Sequence, residues 1–181
     1  KRLSARIFLA DYRLAPEHPF PAAPDDAFAA YAALVKSEGG KLPIAIAGDS
    51  AGGNLTLVTL LKARDAGLQL PACAVALSPG ADATGKLWSV KANSEADAML
   101  SKSIIDHAIG IYLNGAEPTD PHVSPSRGHY AGFPPLMLTV SESECLRDDA
   151  YLVAQSAREA GVPVQMIARR DMPHVCPIFN L

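Results

Sequence analysis

Ser50 stands in the run Gly48-Asp49-Ser50-Ala51-Gly52-Gly53-Asn54. A serine hydroxyl is a weak nucleophile until a base takes its proton and a carboxylate fixes the tautomer of that base. Glycines two residues to either side of a serine mark the sharp strand-to-helix turn, the nucleophile elbow, that exposes such a hydroxyl at a sheet edge. The chemistry this pattern serves is acyl transfer through an ester formed on Ser50. Ile44 to Ala47 are small and apolar, the composition of a short strand buried on both faces, and an apolar helix opens at Ala51. Gly48 and Gly52 are expected because a side chain at either place would collide with the neighbouring strand or helix. A helix starting just after Ser50 aims free N–H groups at it, which makes the Ala51 N–H an oxyanion donor.

The base is sought among five histidines. His174, in RRDMPHVC, falls in the loop after the last expected strand. Triads built on this elbow run serine, acid, histidine along the chain, and only His174 lies beyond every plausible acid. His18 lies in a proline-rich loop, His107 faces out of a helix, and His122 and His129 precede the third interior strand. The acid should follow a strand ending near the histidine. The run SESECLRDD offers Glu142, Glu144, Asp148 and Asp149. Asp148 and Asp149 stand at a helix start, where carboxylates occur for dipole reasons alone. Glu144, in the loop before that helix, is the preferred acid. Asp148 remains an alternative, and Asp82, after the second buried strand, is an outside one.

These residues need a scaffold, and the pattern supplies strands alternating with helices. Arg6–Ala10 reads as a strand. The four prolines of Asp11–Asp26 make a structured loop that launches a helix over about Pro24–Ser37, with Asp25 and Asp26 at its positive end and Gly39-Gly40 after it. Phe28, Tyr31, Leu34 and Val35 share one face of that helix. Leu55–Ala66 is apolar nearly all round until Lys62 and Arg64, hence central, and Gly67 ends it. Pro71–Ser78 is a second strand and Ala81–Leu100 a polar excursion of the kind that carries function or a lid. Its lone tryptophan, Trp88, either lines an acyl pocket or anchors the loop. Ser101 caps a helix with Ile104, Ile105, Ala108, Ile109 and Tyr112 on one face, ended by Asn114-Gly115. Pro118–Pro135 is irregular, Leu136–Val140 a third interior strand, Asp148–Ala160 a helix closed by Gly161, and Val164–Ala168 a fourth interior strand. This is an α/β fold with a mainly parallel sheet, whose ligands gather at the carboxyl ends of the strands.

Composition sets the outer bounds. The chain has 181 residues, 49% hydrophobic and 19% charged, enough for the core of one domain. A net charge of -3 leaves no footprint for nucleic acid or an anionic membrane surface. No apolar run approaches the ~18 residues of a membrane span, and Lys1 to Arg6 lack the apolar core of a leader, which makes a cytoplasmic location the expectation. Cys73, Cys145 and Cys176 have no metal-like spacing, and no two histidines sit at i, i+4. They are expected as buried or semi-buried thiols, with neither disulfides nor a metal.

Five segments, DYRLAPEHPFPAAPDD (Asp11–Asp26), GDSAGGN (Gly48–Asn54), SPGAD (Ser78–Asp82), SPSRGHYAGFPPLMLTVSESECLRDD (Ser124–Asp149) and MPHV (Met172–Val175), resemble the hormone-sensitive-lipase-like branch of the α/β-hydrolases, the bacterial family IV carboxylesterases. The resemblance implies an α/β-hydrolase fold and hydrolysis of carboxylic esters of short to medium acyl chains. It implies no cofactor, a small-molecule ester as partner, and a homodimer as one allowed state. It assigns Ser50 as nucleophile, Glu144 as acid and His174 as base, with glutamate standing where many members have aspartate, and Arg13 and Glu17 as scaffold ions. A His-Gly-Gly segment that completes the family's oxyanion hole, an N-terminal helical cap and a final helix have no counterpart here. Residues 1–181 are therefore expected to form a partial catalytic domain, incomplete at both ends. The expected gap in its sheet lies between the strands at Arg6–Ala10 and Ile44–Ala47. Two other readings stay open: a non-catalytic small-molecule binder, and a peptidase or acyltransferase on the same fold.

Overall fold

Four short runs of small and β-branched residues pair into one sheet in the computed structural model, which describes residues 5–179. They are β1 (Ala45–Asp49), β2 (Cys73–Leu77), β3 (Leu136–Ser141) and β4 (Val164–Arg169), all parallel, in the spatial order β1-β2-β3-β4. Parallel neighbours need long crossovers, and helices supply them. α1 (Ala22–Glu38) precedes β1, α2 (Ala51–Asp65) joins β1 to β2, and α5 (Arg147–Glu159) joins β3 to β4. The β2–β3 crossover is the longest and holds α3 (Trp88–Ala92) and α4 (Lys102–Leu113).

The core sits between α2, α5 and the two central strands. Leu57, Leu60 and Leu61 of α2 meet Ala74 and Ala76 of β2, Leu136 and Leu138 of β3, and Val153, Ala154 and Ala157 of α5. Burying each leucine or valine contributes about 1.5–3 kcal/mol, so this cluster dominates the stability of the domain. As its composition predicts, α2 is buried from Gly53 to Leu61 and emerges at Lys62 and Arg64. Gly67, at φ 64°, then turns the chain so that its N–H and that of Leu68 reach the last carbonyls.

The carboxylates at the start of α1 have side-chain partners beyond the helix dipole. Lys62 bonds Asp25 at 2.5 Å, and the Arg13 guanidinium grips both oxygens of Asp26 at 2.8 Å. Hydrogen bonding from Arg13 holds the Asp26 carboxyl down at about 2. The scaffold reading of Arg13 is supported by this pair. Glu17 is exposed and forms no ion pair among the described residues.

Three expectations about strands are corrected. β1 is an edge strand with alternating exposure, not one buried on both faces. Arg6–Ala10 is not a strand: it has no ladder partner, and Ile7, Phe8 and Leu9 are 84%, 63% and 86% exposed. Strand character depends on a neighbour, and here a groove separates Phe8, Leu9 and Tyr12 from the free edge of β1. β4 is the opposite edge, not an interior strand.

The excursion after β2 is also more ordered than its composition suggests. It carries α3, and Trp88 is 67% exposed with the Arg147 guanidinium 5.1 Å from its ring, outside the pocket beside Ser50. Asn93 Nδ2 donates to the carbonyls of Glu142 and Glu144, Asp97 Oδ2 accepts from the Cys145 N–H, and Ser89 Oγ donates to the Cys145 carbonyl. The segment braces the loop that carries Glu144. Among the described residues no helix is long and apolar enough to cross a membrane.

Candidate active site

Ser50 occupies the turn between β1 and α2 at φ 54°, a left-handed conformation that side chains other than glycine seldom adopt. Its backbone is held on both sides: the N–H donates to Leu77 O at 2.8 Å, and the carbonyl accepts from Asn54 N at 3.1 Å and Gly80 N at 3.3 Å. Strain over-determined in this way keeps the hydroxyl at the carboxyl edge of the sheet. Gly48 is required as expected, since a Cβ there would stand 2.1 Å from the Gly52 carbonyl oxygen. Gly52 corrects the expectation: a Cβ there meets nothing within 4 Å, whereas one on Gly53 would press on Pro79 at 2.9 Å. The close approach thus involves Gly48 and Gly53. Asp49 ends β1 with its side chain exposed, and Ala51 opens α2, so its N–H has no acceptor within the helix.

Glu144 and His174 meet at the neighbouring strand ends. His174 Nδ1 is 2.6 Å from Glu144 Oε2, and both side chains are buried. An ionised carboxylate only accepts, so Nδ1 carries the proton and Nε2 presents its lone pair. Nε2 is buried and makes no hydrogen bond, to Ser50 Oγ or to any other described group. Glu144 Oε1 accepts from the Ser141 N–H at 2.6 Å and from Ser78 Oγ at 2.9 Å. Two donors, the Ser78 hydroxyl after β2 and the Ser141 N–H at the end of β3, thus hold the acid of the acid–histidine pair.

The other acids are engaged elsewhere. Tyr151 donates to Glu142, Arg147 and the Ser89 N–H bond Asp148, and Thr84 and Arg127 hold Asp82. Asp149 is fully buried, its Oδ1 accepting from the N–H groups of Ala81 and Asp82 at 2.7 Å, and burial pushes its carboxyl up to about 8. Of the histidines, His107 is exposed on α4, His122 faces Asp120 at 3.3 Å, His129 accepts from the Ala131 N–H, and His18 lines the pocket at Ser50. Cys145 is buried and Cys73 and Cys176 half-buried, as expected of structural thiols.

A cavity of about 290 Å³ opens beside Ser50. Ile104, Ile105, Ala108, Ile109 and Tyr112, the shared face read from the sequence of α4, form one wall, and the 12–18 loop forms another. It is small and apolar, the size and lining that suit a short hydrocarbon chain. Sequence reasoning missed the groups that hold this site together: Ser78, Ser141, Asn93, and Asn54, whose Nδ2 donates to Gly80 O and Val123 O. Asn54 alone left a signal, as an amide on a helix that is otherwise apolar.

A parallel sheet with a serine in a strained strand–helix turn, and a buried carboxylate–histidine pair at the same edge, defines an α/β-hydrolase. The family model described as alpha/beta hydrolase fold matches residues 1–178. An acetyl-hydrolase from Streptomyces hygroscopicus is 39% identical over 94% of this chain, and an esterase from Acinetobacter venetianus 34% identical over 99%. Among solved structures, a hormone-sensitive lipase from a metagenome library superposes with a TM-score of 0.89 at 41% identity over 93% of this chain. The chain belongs to the α/β-hydrolases, in the branch of the bacterial hormone-sensitive-lipase-like esterases. It spans 57% of the acetyl-hydrolase, 59% of the esterase and 57% of the metagenomic lipase.

Proposed function

We propose that this chain carries the nucleophile, acid and base of a serine carboxylesterase acting on esters of short to medium acyl chains. The observation that carries the reading is the buried Glu144–His174 pair, 2.6 Å apart, at the sheet edge where the elbow presents Ser50. His174 Nε2 takes the proton of Ser50 Oγ as that oxygen attacks the ester carbonyl. The Ala51 N–H supports the oxyanion of the tetrahedral intermediate. On collapse, the C–O bond to the alcohol breaks and His174 returns the proton to the leaving oxygen. Water, deprotonated by the same nitrogen, then releases the acid and restores Ser50. Glu144 keeps the imidazole in the required tautomer and balances its charge while it holds the proton. The apolar cavity along α4 receives the acyl chain.

The test is intact mass after treatment with a fluorophosphonate, which modifies an activated serine without requiring turnover. One adduct, absent in Ser50→Ala, is expected; an unmodified chain would overturn the reading. The unpartnered His174 Nε2 favours a second reading, a binder that uses the cavity without turnover. That reading predicts saturable binding of a short-chain p-nitrophenyl ester with neither adduct nor released phenol.

A further inference from the structure

Two serines at adjacent strand ends join the acid to the loop that carries the histidine. Ser141, the last residue of β3, gives its N–H to Glu144 Oε1 and takes the Met172 N–H on its hydroxyl at 3.1 Å. Ser78, directly after β2, gives its Oγ–H to Glu144 Oε1 at 2.9 Å and takes the Val175 N–H at 3.2 Å. Met172 and Val175 flank His174, so the loop bearing the base is pinned on both sides. The two serines differ in one respect. The bond from Ser141 to the acid runs through its backbone and survives a change of side chain, whereas both contacts of Ser78 run through the single atom Oγ. A hydroxyl has one proton to donate and lone pairs to accept with, so this use exhausts its donor.

The backbone strain falls at the two ends of this link. Ser78 has φ 45° and is buried; Val175, a β-branched residue for which a positive φ is a genuine outlier, has φ 56°. Neither conformation serves a tight turn that glycine could not make better. What they achieve is to bring Oγ and the Val175 N–H together beneath the carboxylate.

We propose that Ser78 is a positioning residue whose hydroxyl, shared between the Glu144 carboxylate and the Val175 N–H, locks the acid to the loop carrying His174. The inference rests on the reading of Glu144 and His174 as the catalytic pair, and its readout does not require Ser50 to react.

The experiment compares Ser78→Gly and Ser78→Thr with the parent chain, by thermal melting and by the far-downfield proton resonance of His174 Nδ1–H in histidine-labelled protein. Glycine relaxes the left-handed backbone and removes the hydroxyl; threonine keeps the hydroxyl and adds a β-branch where φ is positive. A locking hydroxyl makes stability and site signature move in opposite directions. The glycine variant melts no lower than the parent but loses the resonance, and its rate of fluorophosphonate labelling falls about tenfold to a hundredfold, the scale known for groups that orient metal-bound histidines from behind. The threonine variant melts lower and keeps the resonance. A resonance that persists in the glycine variant, or is missing from the parent, overturns the proposal. A parent that shows the resonance yet forms no adduct at Ser50 overturns the hydrolase reading and leaves the lock supported.

Discussion

His174 Nδ1 stands 2.6 Å from Glu144 Oε2 inside the protein, while Nε2 of the same ring has no partner. In the proposed mechanism the charge on Glu144 stabilises the imidazolium formed when Nε2 takes the proton of Ser50. Glu144→Gln removes that charge and replaces one of the two acceptor oxygens by an NH₂ donor, facing either His174 or Ser78 and Ser141. We expect the rate of fluorophosphonate labelling to fall about 10²- to 10⁴-fold, the range for losing the charge or tautomer control of a triad. A stopped-time mass series on folded variant protein checks this. Labelling within a few-fold of the parent would remove Glu144 from the mechanism.

Asp149 gives the fold a pH dependence of its own. Burial raises its carboxyl from 3.8 to about 8, so over that interval the folded chain binds a proton that the unfolded chain has released. Stability from this group is therefore full below about pH 4 and declines as pH rises toward 8, by at most about 1.4 kcal/mol per pH unit. Asp149→Asn keeps the Oδ1 acceptor for the Ala81 and Asp82 N–H groups and cannot ionise. Urea melts at pH 6 and pH 9 should show the parent losing stability and the asparagine variant losing less. Equal losses would mean that Asp149 is ionised throughout.

The elbow glycines separate by sign. Gly48→Ala would place a methyl carbon 2.1 Å from the Gly52 carbonyl oxygen, a clash with backbone that no rotamer relieves. It should cost about 3 kcal/mol or more, the upper end of overpacking. Gly53→Ala meets Pro79 at 2.9 Å and should cost about 1–3 kcal/mol. Gly52→Ala meets nothing within 4 Å and stands in the first turn of α2, so it should stabilise the chain by about 0.5–1 kcal/mol through helix propensity. Thermal melts of the three variants give the order directly.

The contrast between these glycines shows where sequence was informative. The elbow, its strand and helix, and the parallel α/β alternation were legible because glycine punctuation and apolar runs are local signals. The positions of Glu144 and His174 were legible because both follow strands. What decided the rest was pairing between distant segments. Whether Arg6–Ala10 is a strand depends on a neighbour that its own residues do not encode, whereas the free edge of β1 lies where the family resemblance put the gap in the sheet. The brace formed by Ser89, Asn93 and Asp97 was invisible because polar loop residues carry no period. Ser78 was hidden in the same way, its role set by a left-handed backbone that nothing in Leu77-Ser78-Pro79 announces.

The free edge of β1 leads to the last prediction. Ile7 and Leu9 are 84% and 86% exposed, and Leu9 lines a groove whose far wall is the free edge of β1. Unpaired backbone next to exposed apolar side chains is a template for another chain, and β1 itself, Ala45–Asp49, carries neither lysine nor proline. The chain as given should therefore self-associate with rising concentration. Because both side chains already face solvent, Ile7→Lys with Leu9→Lys should leave the monomer fold within about 0.5 kcal/mol of the parent while placing two charges on the edge. Sedimentation velocity across a hundredfold range of concentration reads the difference. A parent that associates and a double variant that does not would locate the contact at this edge, whereas a parent that stays monomeric throughout would show that the segment over the groove already shields β1.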